Sequence, residues 1–158
     1  MSDKHEFFMR RAIELAKTGM EAGDGGPFGA VIVRAGEIVG EGWNRVTSTN
    51  DPTAHAEVNA IRDACRRIGS FQLDDCIIYS SCEPCPMCLG AIYWARPKML
   101  LFAGGREDAA QVGFDDQYIY DEISLETAKR SIETLSILRS EAVRVFTLWR
   151  EKEDKINY

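Results

Sequence analysis

The segment Pro84-Cys85-Pro86-Met87-Cys88 constrains this chain more than any other stretch. Cysteines at i and i+3 sit one helical turn apart, so both sulfurs can converge on one ion. Pro86 suits a first helical turn, where its missing N–H would go unpaired anyway, and the helix is expected to run to Ala95. At a helix N-terminus the macrodipole also favours the thiolate form of the sulfurs. Only two histidines exist, His5 and His55, so the list of further ligands is short. His55 would complete a Cys2His set with Cys85 and Cys88, and zinc prefers such nitrogen and sulfur ligands in tetrahedral geometry. Three protein ligands leave a fourth position for water, which is the catalytic arrangement rather than the closed structural one.

His55 opens the triplet His55-Ala56-Glu57. Residues at i and i+2 of a helix point about 200° apart. His55 and Glu57 can therefore share a site only if it lies off the helix's N-terminal end, with Asp51 or Thr53 as the expected N-cap. Two helix N-termini are expected to meet at one metal. Two other readings stay open from the residues alone. A lone C-x-x-C can be a redox pair. A closed site of His55, Cys82, Cys85 and Cys88 would make the chain a zinc-stapled interaction module, with Glu57 a surface acid. Against that, Glu83 and Pro84 put Cys82 at a strand end, too far to ligate. Cys65 and Cys76 read as small core residues.

The 158 residues fit one domain, 1–158. Five cysteines, an odd number, follow a segment Met1–Arg11 too polar for a secretory signal; this argues for reduced thiols and a cytoplasmic protein. No apolar run approaches the roughly 18 residues of a membrane span. The net charge is −6, and the acids are unevenly spread. Gly104–Glu126 holds seven acids against one base, Arg106, and the rest of the chain balances. A broad phosphate-tracking surface needs clustered Lys and Arg, so a nucleic-acid partner is disfavoured.

Phe8, Ala12, Leu15, Ala16 and Met20 recur at helical spacing, with Asp3 and Glu6 resembling a capping box. Phe28–Arg34 and Glu37–Trp43 are β-rich around Ala35-Gly36, a hairpin, and Asn44–Pro52 reads as a loop. Val58, Ile61, Cys65 and Ile68 make a helical stripe stopped by Gly69, an expected αL cap. Cys76–Ser81, Met99–Ala103 and Thr134–Arg139 read as further strands, and Glu141–Lys155 as a closing helix. Strands alternating with helices favour an α/β sandwich around one sheet.

H-x-E paired with P-C-x-x-C is the signature of zinc-dependent deaminases. Across nearly its whole length the chain resembles the cytidine deaminase superfamily, and within it the bacterial-type guanine deaminases. The resemblance is densest in Gly25–Val33, Asn50–Arg62, Gln72–Lys98 and Gly113–Ile123, and departs at Gly104–Glu107 and Ala128–Ile137. The Gly-Phe-Asp-Asp segment and a C-terminal helix ending in tyrosine point to the subfamily.

The resemblance implies a three-layer α/β/α sandwich on a mixed five-stranded sheet. It implies homodimers that exchange C-terminal segments, about residues 141–158, and one Zn2+ per subunit carrying a water or hydroxide on His55, Cys85 and Cys88. Glu57 is implied as the proton-shuttling acid, Phe28 and Asn44 as base contacts, Asp116 and Tyr158 as specificity contacts. Trp94 is implied to line the pocket, and Glu141, just before the last helix, is a candidate second proton-handling acid. The implied reaction is hydrolysis of guanine, a small purine base, to xanthine and ammonia. A tRNA adenosine deaminase or a cytosine deaminase would carry the same zinc motifs. The last helix holds four acids and four bases and so offers a tRNA no basic tail. An uncharged heterocycle tolerates the acidic window around Asp115 and Asp116, whereas a polyanion is repelled by it.

Overall fold

Apolar residues three and four apart form one face of α1 (Asp3–Glu21), which buries Phe8, Ala12, Leu15 and Ala16. Met20, expected on the same stripe, is exposed. The structure is a computed structural model describing residues 3–158, and the chain divides into two compact units, one ending at Asp116 and one beginning at Gln117.

In the first unit, β1 (Gly29–Arg34) and β2 (Glu37–Trp43) form the expected hairpin. Its two turn residues, Ala35 and Gly36, both take positive φ, the conformation that matches strand twist in a two-residue loop. β3 (Cys76–Cys82) lies antiparallel to β1, and β4 (Met99–Gly104) runs parallel to β3. The sheet order is β2-β1-β3-β4. A parallel pair needs a crossover, and α4 (Pro86–Ala95) supplies it with the expected limits. Phe8, Ala12 and Leu15 pack with Val31, Val33 and Tyr79 on one face of the sheet. Ala56, Ala60 and Ala64 of α3 (Ala56–Ile68), with Ile92 and Ala95 of α4, cover Ala30, Ile32 and Ile78 on the other. Helices on both faces give the three α/β/α layers.

The stripe Val58, Ile61, Cys65 and Ile68 is only the half-buried flank of α3; its fully covered line is Ala56, Ala60 and Ala64. Two glycines of β2 explain this. A Cβ on Gly42 would lie 2.3 Å from the Ala56 carbonyl oxygen and 2.4 Å from the Ala60 nitrogen. One on Gly40 would lie 2.6 Å from the Ala60 carbonyl oxygen. The α3 backbone thus rests directly on β2, an approach only small residues permit. Gly69 ends α3 in the αL conformation, as expected.

Asn44–Pro52, expected as loop, contains one helical turn, α2 (Val46–Thr49). After β4 come α5 (Arg106–Gln111) in the first unit, then α6 (Gln117–Ser124), a 3-10 turn at Thr127–Lys129, and α7 (Arg139–Glu151) in the second. Among the described residues the sheet has four strands, not five. The expected strand at Thr134–Arg139 is irregular, with Leu135 77% and Ile137 79% exposed, and Arg139 already belongs to α7. A two-residue period reveals a strand's faces but not a ladder partner, and this segment pairs with no strand among the described residues. Glu141 lies inside the first turn of α7 rather than before it, and the helix stops at Glu151, short of Lys155. Among the described residues no helix is long and apolar enough to cross a membrane.

Candidate active site

The objection raised by the i, i+2 spacing is resolved by where α3 begins. His55 is itself the N-cap, with extended backbone (φ −71°, ψ 157°), and Glu57 is the second helical residue. Asp51 and Thr53 do not cap α3; Asp51 instead accepts hydrogen bonds from the Thr53 N–H and hydroxyl, closing a local turn ahead of it. Cys85 is likewise the N-cap of α4, with Pro86 at the first helical position, and its sulfur accepts from the Cys88 N–H at 3.5 Å. The N-termini of α3 and α4 therefore present their ligands to one point.

At that point the His55 Nδ1 lies 3.6 Å from the Cys85 sulfur and 3.5 Å from the Cys88 sulfur. The three ligand atoms lie within 4.8 Å of one another. Zinc–sulfur and zinc–nitrogen bonds at a tetrahedral angle separate S from N by about 3.6 Å, so the residues fit the ion. Cys85 is held down to about 4, first by the Cys88 side chain and then, against burial, by His55 and the Cys88 amide. Cys88 is raised, chiefly because it shares its proton with Cys85. A bound metal displaces that proton, since a ligating sulfur must be thiolate. Cys82, at the end of β3, donates to the Gly105 carbonyl at 3.7 Å and stands outside the cluster. Burial pushes its thiol up to about 11. A closed four-ligand site is not what these residues form. Cys65 and Cys76 pack in or against the core, and all five cysteines are free.

Glu57 is 6% exposed and lines a cavity of about 290 Å³ beside the cluster. Its Oε1 accepts from the Ser80 hydroxyl at 3.0 Å. Burial raises the Glu57 carboxyl, against the lowering effect of its own backbone N–H and of the Cys88 and Ser80 side chains. A carboxyl raised in this way holds a proton more readily than an ordinary glutamate, which suits a group that must both take and return one.

The same cavity is lined by His55, Cys85, Phe28, Asn44, Phe114 and Asp116. Asn44 is buried, and its Oδ1 accepts from the Gly26 and Val46 N–H groups at 3.2 and 3.1 Å. Two backbone donors fix the oxygen's assignment and leave the amide NH2 as the group on offer to a ligand. Phe28 meets Phe114 edge to face, ring centres 4.8 Å apart, forming an apolar wall. Asp116 is half-buried, and burial followed by the charge of Cys85 raises its carboxyl.

Trp94 is 64% exposed on α4 and is not part of this wall. Glu141 and Tyr158 lie in the second unit, both exposed. Phe114 and Glu83 also line the cavity and Ser80 bonds Glu57; none of the three was among the expected site residues. Phe114 stood in plain view inside Gly-Phe-Asp-Asp. Ser80 was signalled by a hydroxyl in an otherwise apolar alternation, Cys76, Ile78, Ser80.

A buried carboxylate beside a Cys2His cluster, each presented from a helix N-terminus, defines a zinc-dependent hydrolytic deaminase site. The chain belongs to the family described as cytidine and deoxycytidylate deaminase zinc-binding region, which matches residues 2–103. The guanine deaminase of Bacillus subtilis is 56% identical over 154 residues, covering 98% of this chain and 99% of that protein. The X-ray structure of guanine deaminase from that organism superposes with a TM-score of 0.95 at 54% identity, covering 100% and 99% of the two chains. A tRNA-specific adenosine deaminase from Buchnera aphidicola is 36% identical, covering 92% and 93%.

Proposed function

We propose that this chain hydrolyses guanine to xanthine and ammonia. The observation that carries the reading is the joint placement of Asp116, Asn44 and Glu57 around one cavity at the zinc ligands. Guanine's edge offers ring N–H donors, which a carboxylate accepts, and ring acceptors, which the free NH2 of Asn44 serves. Likeness to a guanine deaminase over nearly the full length of both chains supports it.

His55, Cys85 and Cys88 hold the zinc, which when bound lowers the pKa of its water towards 7 and so makes a nucleophile available at neutral pH. Glu57 takes up the proton released in the attack on C2 and delivers it to N3. It then takes the proton of the new C2 hydroxyl and passes it to the amine as the C2–N bond breaks, so that xanthine and ammonia leave and the carboxylate is restored. Acting first as base and later as acid, it contributes about 10²–10⁴-fold. Phe28 and Phe114 present an apolar wall to the planar ring, and Asp116 orients its N–H edge. The whole chain acts as one functional domain, and the protein works as a homodimer that exchanges its C-terminal segment. Support for exchange comes from the second unit: Val145, Phe146 and Leu148 of α7 are exposed and none of its residues is buried, so its apolar surface calls for a partner. Tyr158 and Glu141 would then act from the exchanged segment. Five free cysteines suit a reducing cytoplasm.

Near-full-length likeness to tRNA-specific adenosine deaminases favours a second reading, deamination of an adenosine in a tRNA loop. The identity is lower, and Asp116 sits in the acidic window. Zinc-loaded protein is offered free guanine or a tRNA anticodon stem-loop, and released ammonia is measured. Release from guanine alone is expected; release from the stem-loop alone reverses the assignment.

A further inference from the structure

β3 sends alternate side chains to opposite faces of the sheet. Cys76 and Ile78 enter the core beneath α3 and α4, Tyr79 the core beneath α1. Ser80 continues the first series, and it is 2% exposed. Ala30 on β1 and Phe102 on β4 flank it in register. Nothing in that setting asks for a hydroxyl. An alanine would fill the sheet position equally well, and a buried O–H without a partner is costly. Its partner is Glu57, whose Oε1 it meets at 3.0 Å. The contact spans two layers and joins the second residue of α3 to the sheet. The backbone of α3 reaches that depth because Gly40 and Gly42 allow it.

We propose that Ser80 is a positioning residue for the reaction: its hydroxyl pins Oε1 of Glu57, fixes the plane of the carboxylate, and confines proton traffic to Oε2. The last torsion of a Glu side chain is broad and two-fold, so its hydrogen bonds decide which oxygen faces where. Glu57 also meets its own backbone N–H and the Cys88 side chain. A Cys88 that ligates metal is a thiolate and no longer donates, which leaves Ser80 as the side-chain donor. With Oε1 tied to the sheet by a charge-assisted hydrogen bond, Oε2 is the oxygen turned to the reacting atoms. The sheet, in which β3 is paired on both sides, thereby sets the aim of the shuttle. Ser80 itself is neither among the residues that line the cavity nor one of the three metal-ligand candidates.

The kinetic arm of the test rests on the guanine reading; a spectroscopic arm does not. Infrared difference spectra of the zinc-loaded chain, Ser80→Ala against wild type, should show a shifted carboxylate stretch that vanishes when both proteins also carry Glu57→Gln. No such shift overturns the proposal. With guanine, Ser80→Ala should lower kcat about 10- to 100-fold, the worth of one hydrogen bond to a charged group. KM should move by less than about 3-fold and zinc should stay stoichiometric, because the metal ligands are untouched. Ser80→Thr, which keeps the hydroxyl, should recover most of the lost kcat. An unchanged kcat in Ser80→Ala overturns the role, and so does a loss accompanied by departure of zinc. A wild-type chain inert on guanine refutes the substrate assignment alone, and the infrared comparison then decides Ser80 by itself.

Discussion

Replacing Gly42 by alanine should damage both the fold and the site, because the same backbone contact builds each. The added Cβ would lie 2.3 Å from the Ala56 carbonyl oxygen, where ordinary contact begins near 3.4 Å. Both partners are backbone, so no side chain can swing aside, and α3 must move off the sheet by about 1 Å. Overpacking of this kind costs about 1–3 kcal/mol. With a urea m-value of about 1–3 kcal/mol/M, the unfolding midpoint should fall by about 1 M. Ala56 lies between His55 and Glu57, so the displacement is applied where the chemistry is. A misplacement of about 1 Å can cost about 10²-fold in rate. Urea titration followed by circular dichroism reads the first effect, and ammonia release from guanine reads the second. Gly90→Ala is the control. It sits in α4 with open space around it, so alanine should be neutral or stabilising by about 0.5–1 kcal/mol. A Gly42→Ala protein with the wild-type midpoint and rate would refute the claim that β2 sets the depth of α3.

Asp116→Asn should lower guanine turnover by about 10²-fold while leaving zinc content unchanged, since the carboxylate is assigned to the base and not to the metal; equal turnover would remove it from recognition. Cys76 is fully buried in the core, and burial, followed by Asp75, pushes its thiol from 9.0 up to about 11. A raised folded pKa contributes stability that is complete below pH 9 and lost as the pH rises towards 11. Urea midpoints at pH 8 and 10.5 should diverge less in Cys76→Ala than in wild type, and identical slopes would contradict the assignment.

The metal cluster was legible in the sequence because C-x-x-C behind a proline and a near-solitary histidine leave few alternatives. β2 and α4 were legible to the residue, since glycine, proline and hydrophobic period all changed together at their ends. The start of α3 was not. Asp51 and Thr53 look like better caps than His55, and their side chains do cap, but each other's turn and not the helix. Its buried face was hidden for a related reason: the stripe of large residues marks where α3 flanks the core, while the glycines of β2 admit only the alanine line. The fifth strand failed because alternation at Leu135 and Ile137 carries no information about which edge would receive it. Ser80 and Phe114 owe their roles to neighbours far away in the chain, Glu57 and Phe28, which no local pattern connects.

The central claim is that one buried carboxylate, held beside a Cys2His zinc, carries the protons of the reaction. Glu57→Gln tests it directly, with zinc content and ammonia release from guanine measured on the same preparation. The amide keeps the shape of the side chain and its ability to accept from Ser80, but it cannot take up a proton. One zinc per chain with turnover reduced at least about 10²–10⁴-fold is the expected result. A Gln variant that retains zinc and turns over guanine at the wild-type rate would contradict it.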